Sequence, residues 1–224
     1  MYKIISISLF SSVLLLFNPG LIQAQDNTPA GYYASVHGGF DFLASNHPAL
    51  VADGFFNFHL AGYVLTGVDV GKYSGKDNYH ISVYRGFSAS PKSIEDPDVE
   101  PGDKEVELQD LYSIGFTYKK QASRIKNTNK IVVNMGGRIT TRVNYYSGVK
   151  AMRNTSENSG RPPTYTFNDF GMINGGVEIA PYLEVGKQSV GKKGVFINWE
   201  LIYFRVGYQH VALGTQKVSI ILKF

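Results

Sequence analysis

The sequence predicts an all-β fold: an eight-stranded antiparallel transmembrane up-and-down β-barrel with a cleaved N-terminal signal peptide. Three observations predict it. Eight stretches alternate apolar with polar residues at the period of two that marks a strand with different surroundings on its two faces. The stretches before the last have the length that tilted membrane-crossing strands need, about 9 to 11 residues or more, and the closing one comes to within a residue of it. The connections between them alternate between long polar segments and short turns, as an up-and-down barrel in a membrane requires.

The chain divides into a leader, 1–24, and a barrel, 25–224. Lys3 is a small basic start, and Ile4 to Phe17 is apolar apart from serines. Asn18-Pro19-Gly20 breaks this run, and Leu21-Ile22-Gln23-Ala24 offers a small residue before a cut at Ala24/Gln25. The apolar run is shorter than the roughly 20 residues of a spanning helix, so it reads as a signal peptide and not an anchor. No later segment is a helix-length apolar run, which excludes a helical membrane protein. The chain has no cysteine, which excludes a lipoprotein anchor and a disulfide framework. A formal charge of +4 is too weak to argue for nucleic acid.

The strands follow in order. The first, Gly31 to Leu43, sets Val36, Phe40 and Phe42 against Ser35, His37 and Asp41. The second, Phe55 to Tyr73, sets Leu60, Val64, Val68 and Val70 against Asn57, His59 and Asp69. The third, Asn78 to Ser88, sets Tyr79, Ile81 and Val83 against His80, Ser82 and Tyr84; the fourth, Glu107 to Lys120, sets Tyr112, Ile114, Phe116 and Tyr118 against Ser113, Thr117 and Lys119. The fifth is the cleanest, with Ile131, Val133, Met135, Ile139 and Val143 alternating with Asn134, Arg138, Arg142 and Asn144. The sixth, Tyr165 to Lys187, sets Ile173, Val177, Ile179, Leu183 and Val185 against Asn174, Glu178 and Glu184. The seventh, Gly194 to Gln209, sets Ile197, Trp199, Leu201 and Tyr203 against Asn198 and Glu200, with its upper half apolar on both faces. The eighth, Lys217 to Phe224, closes the chain and makes the strand number even.

With the N-terminus in the periplasm, the odd-numbered connections face outward. The third, Ala89 to Val106, is long and acidic, with Glu95, Asp96, Asp98, Glu100, Asp103 and Glu105; the fifth, Val149 to Thr164, is long and polar. The second, fourth and sixth are shorter: Ser74 to Lys76, Gln121 to Asn129, and Gln188 to Lys193. The seventh, Val211 to Thr215, is short and departs from the trend.

In the last strand Val218, Ile220, Leu222 and Phe224 share one face, and Lys217, Ser219 and Lys223 the other, with Ile221 the one mismatch. A closing aromatic residue behind such alternation resembles the C-terminal strand of bacterial outer-membrane β-barrels. The resemblance implies that Val218, Ile220, Leu222 and Phe224 form the signal read by the barrel-assembly machinery. The leader, the chain length and the Tyr/Gly-rich strands, with Ser113-Ile114-Gly115-Phe116-Thr117-Tyr118 and Ile131 to Gly137, are similar to small Bacteroidota barrels of the TraO conjugative-transposon type. The last strand departs from that pattern, and the resemblance transfers no functional residue.

The charged face carries the candidate site. Arg138 and Arg142 are expected to face Glu178 or Glu184 on the neighbouring strand, with Glu200 and Lys119 extending the set. An eight-stranded barrel is just wide enough for side chains to fill, and buried charges are tolerated only when paired. A lumenal ion-pair network therefore predicts a plugged barrel and argues against a general porin. His37, His59 and His80 fall on polar faces but at heights that look spread along the lumen, so no metal site is expected. His210 is the one tempting acid/base residue, without an obvious Ser or Glu beside it, and no Gly-x-Ser-x-Gly elbow occurs. The sequence thus predicts no catalytic residues and no cofactor. It predicts a non-enzymatic outer-membrane barrel with a structural or surface-binding role, in contact with outer-membrane lipid, lipopolysaccharide and the assembly machinery. A lipid-modifying enzyme and a narrow channel are the competing classes.

Overall fold

The computed structural model describes residues 30–45, 50, 59–89, 94–95, 106–126, 131–154, 164–188, 193–207 and 210–224. The leader at 1–24, and residues 55–58 of the expected second strand, lie outside the described residues. Eight strands form: β1 (Gly31–Ser45), β2 (His59–Ser74), β3 (Asp77–Ser88), β4 (Val106–Lys126), β5 (Ile131–Asn154), β6 (Thr164–Gln188), β7 (Gly194–Gly207) and β8 (His210–Lys223). Each pairs antiparallel with the next, and β8 returns to β1, so the sheet closes. Closure leaves no unpaired strand at the seam, and the chain end itself takes part. Tyr32 and Phe224 exchange two backbone hydrogen bonds, of 3.0 and 2.9 Å.

Alternation decides which way each side chain points. Val36, Val68, Ile81, Ile114, Val143, Ile173, Ile197 and Ile220, one from each strand, are all exposed. The polar residues between them are buried in the barrel interior, including Ser35, Asp69, Ser82, Ser113, Asn144, Glu178, Asn198 and Ser219. The barrel is inside-out: apolar outside, polar and charged within.

Local chemistry shapes the ends and the wall. Ser74 and Asp77 are joined by Gly75-Lys76, and Gly75 has φ of 60°, which the primed hairpin turns need at their first central position. Ladder irregularities add one residue to a strand at four places. Two are on β4, between Leu108 and Asp110 and between Gln121 and Ser123. The other two face each other across the β7–β8 hairpin, one where β7 meets β6 and one where β8 meets β1. The β5–β6 ladder runs on to Asn154 and Thr164, whereas the β6–β7 ladder stops at Gly176 and Gly207. That hairpin therefore rises above the barrel wall on its β7 side. Ile94, from the third connection, packs with Val149, Ala151 and Tyr165 on it.

Several expected boundaries move. Val211 to Thr215 is part of β8, paired with both β7 and β1, and not a connection. Its alternation is muted because the inward positions are the small Ala212 and Gly214. Gln121 to Lys126 extends β4, and Val149 to Asn154 extends β5, so both polar connections are shorter than the sequence suggests. Tyr203 points inward, not outward. Glu200 and Tyr203 are both buried while Leu201 and Ile202 between them are both exposed, so β7 changes phase at its extra residue.

Candidate functional site: the filled lumen

The interior is built in three levels. Nearest the start of β1 and the end of β8, Tyr33, Tyr73, Val132, Phe196 and Ile221 form an apolar cluster. Ile221, the mismatch in the closing strand's pattern, is inward because this cluster needs it. Toward the opposite, loop-bearing end a larger cluster includes Leu43, Leu50, Tyr63, Leu65, Leu108, Leu111, Tyr146 and Met172. Charged side chains occupy the space between. Among the described residues, five basic (Lys119, Arg138, Arg142, Arg205, Lys217) and five acidic side chains (Asp41, Asp69, Glu178, Glu184, Glu200) are buried, and the partly buried Lys223 joins them through Glu184. Pairing matters here because an unpaired charge in such a confined space costs several kcal/mol.

Arg138 on β5 is the hub. Its Nη2 donates to a carboxylate oxygen of Glu178 and, at 2.7 Å, to Glu200. Its Nη1 donates to Thr140 Oγ1 at 2.7 Å, and Thr140 in turn meets Thr117 at 2.7 Å. Glu178 faces three guanidinium groups: Arg138, Arg142 with its Nε at 3.4 Å, and Arg205 with Nη1 at 3.8 Å. Arg205 also donates to Asp41 at 2.7 Å and to the Tyr146 hydroxyl at 3.3 Å. Arg142 lies 3.7 Å from the Tyr84 ring centroid, with Lys217 at 4.9 Å from the same ring. Such cation–π contacts supply partners where carboxylates run out.

Glu184 sits elsewhere. Of the expected partners it meets Lys119, at 3.9 Å, and not the arginines. It also accepts from Lys223 and, at 2.9 Å, from Asn134. Lys119 donates to Asn198 at 3.0 Å and stands 4.1 Å from the Tyr182 ring. Asn198 donates to Glu200 at 3.3 Å and so links this group back to Arg138.

A third group gathers on Asp69. Ser35 donates to it at 2.7 Å, His37 Nδ1 lies at 3.2 Å and His80 Nε2 at 4.0 Å, while Tyr33 bonds the far nitrogen of His80. The expectation that His37 and His80 are spread along the lumen is therefore corrected. Register brings them together: His37 opposes Gly67 and His80 opposes Gly71, the residues two before and two after Asp69 on β2. His59 is apart, opposite Ser45 at the loop end. Among the described residues no three His, Asp or Glu side chains converge as metal ligands. The side chain of His210 lies outside the described residues, although its backbone begins β8.

Sequence reasoning assigned Lys119, Arg138, Arg142, Glu178, Glu184 and Glu200 to the interior set but gave no role to Asp41, Asp69, Arg205 or Lys217. Asp41, Asp69 and Lys217 were legible on polar faces. Arg205 was not, because the phase change at Leu201-Ile202 hides its direction. Val218, Ile220, Leu222 and Phe224 all face outward along one line of β8. What this interior does chemically is neutralise, tether and fill; the Ser35 hydroxyl beside the His37–Asp69–His80 group gives its hydrogen to Asp69 and is itself buried.

Topology and interior together define a class: a closed, inside-out, side-chain-filled eight-stranded antiparallel barrel. No protein-family model and no curated protein matches the chain. Among solved structures, Neisserial surface protein A (NspA) is similar over 87% of this chain and 99% of its own, at 11% identity and a TM-score of 0.48. The N-terminal β-barrel domain of Pseudomonas aeruginosa OprF is similar over 85% and 97%, at 10% identity and a TM-score of 0.32. Neither likeness assigns this chain a ligand or an activity; the class rests on its own strand topology and burial.

Proposed function

We propose that this chain is an outer-membrane β-barrel, plugged by its own side chains, that serves as a structural or surface-binding protein. One observation carries the reading: the continuous exposed apolar belt around all eight strands. Exposed apolar surface on this scale marks contact with lipid or a partner, and here it encircles the molecule. On β1 the exposed rings of Tyr32 and Phe42 bracket the belt. Their spacing along a strand tilted about 40° gives a height of about 25 Å, the apolar band of outer-membrane barrels. Aromatic side chains also meet across strands on the outer face, Tyr79 with Tyr118 and Tyr112 with Tyr145.

The ion-paired lumen between two apolar clusters favours a plugged barrel over a channel. Work then falls to the outer face and the loops, with lipid and lipopolysaccharide as surroundings. The similarity to TraO-type barrels brings no residue with a role, so a place in a transfer apparatus is tested separately, by co-purification with conjugation proteins. The central test is fractionation. The protein is expected in the outer membrane and to migrate faster unboiled than boiled on SDS gels. Recovery in the soluble periplasm, or a stable large conductance in planar bilayers, would refute the membrane or the plugged part of this reading respectively.

A further inference from the structure

The exposed charges differ between the two ends of the barrel. Toward the loop end both signs are interspersed: Glu107, Asp110 and Asp169 stand with Arg85, Lys150 and Arg153, and Arg85 lies 3.3 Å from Asp110. At the opposite end, where the chain terminates, Lys72 on β2, Lys187 on β6 and Lys193 just before β7 are exposed, and Lys120 on β4 is partly so. All four belong to the outward phase of their strands, since Tyr73, Lys119, Glu184 and Phe196 near them are buried inward. The acidic residues described at this end are otherwise engaged. Asp77 accepts a 2.6 Å hydrogen bond from Tyr118, and Glu184 faces the lumen with Lys223 and Asn134.

We propose that these lysines form a collar that binds anionic phospholipid headgroups at the terminal edge of the apolar belt. The inference deepens the membrane reading and rests on it. Two features select lipid over an acidic protein. The ammonium groups are spread over β2, β4, β6 and β7 instead of gathering on one side, which suits a ring of headgroups. They also sit among groups that contact acyl chains: Lys72 lies in register between Tyr32 and Tyr79, and Lys187 between Ile131 and Val195, all four neighbours exposed. A lysine there lays its stem on apolar surface and lifts its charge to the phosphates. Each basic residue near an anionic lipid surface is worth about a fivefold change in binding at low salt.

The experiment uses the whole barrel, purified from membranes in non-ionic detergent, with phosphatidylglycerol and phosphatidylcholine of matched chains competing for retention in native mass spectrometry. The wild type is expected to retain the anionic lipid by about tenfold or more over the zwitterionic one, and to lose that preference as salt rises. The variant K72Q/K120Q/K187Q/K193Q should fall toward parity, the matching arginine variant should keep the preference, and K150Q/R153Q at the loop end should keep it too. Parity in the wild type, a salt-independent preference, a preference retained by the glutamine collar, or its loss in the loop-end variant would each overturn the collar. An acidic protein as the true partner would show as parity in the wild type. A chain that gives no heat-modifiable band fails earlier, and refutes the membrane reading together with this inference.

Discussion

Arg138 and Glu178 are joined across the barrel interior although they are not register partners: Arg138 opposes Ala180, and Glu178 opposes Thr140. The pair is a diagonal one, two residues offset on adjacent strands, a spacing that long side chains can bridge. The offset leaves Arg138 free to reach Glu200 on β7 as well, and leaves Glu178 within reach of Arg142 and Arg205. The diagonal contact and its two links to β7, through Glu200 and Arg205, tie three strands of the wall together.

Removing the Glu178 charge should be costly. Arg138 keeps Glu200 and Arg205 keeps Asp41, but Arg142 loses its nearest carboxylate while fully buried. Breaking a buried pair from one side costs about 3 to 5 kcal/mol. Glu178→Gln is expected to lower unfolding stability in detergent toward that range. Adding Arg142→Gln should recover part of the loss, because coupled partners are non-additive. Neutral single substitutions would mean that the interior charges are not paired as described.

The ring of Tyr203 occupies the place where a side chain at Gly214 would begin, and its hydroxyl donates to the Phe40 carbonyl at 3.3 Å. Gly214→Ala should therefore destabilise by about 1 to 3 kcal/mol through overpacking. In a Tyr203→Leu background the same change should cost less. Urea unfolding of the four proteins gives the coupling, and strict additivity would show that the ring does not lie on Gly214.

Topology is testable because the chain has no cysteine of its own. Glu95→Cys and Asn154→Cys, both exposed toward the loop end, should react with an impermeant maleimide on intact cells. Lys193→Cys, at the terminal end, should react only after permeabilisation. The opposite pattern would invert the barrel in its membrane.

The closing residue has two separable contributions. Deleting Phe224 removes both its backbone bonds to Tyr32 and its exposed ring, whereas Phe224→Ala removes only the ring. If the ring is the assembly signal, both changes should lower the heat-modifiable fraction in the outer membrane. Full assembly of Phe224→Ala alongside failure of the deletion would assign the effect to strand pairing alone.

The sequence by itself determined the architecture and the direction of most side chains. A period of two has only two phases, and a chain that alternates Ile139 with Arg138 and Val177 with Glu178 settles which face is which once the sheet closes. It also supplied part of the set of interior charges, since Lys119, Arg138, Arg142, Glu178, Glu184 and Glu200 all stand on polar faces, but it left out Asp41, Asp69, Arg205 and Lys217. Only the tertiary structure decided which charges meet. Pairing inside a barrel depends on register between strands and on where extra residues interrupt the ladder, and neither has a periodic signature. The single added residue in β7 turned Tyr203 and Arg205 inward, register set Glu184 beside Lys119 and Lys223, and an offset of two residues either side of Asp69 brought His37 and His80 to one carboxylate. Alternation fixes a face along one strand; the height at which two faces meet is a property of the closed sheet.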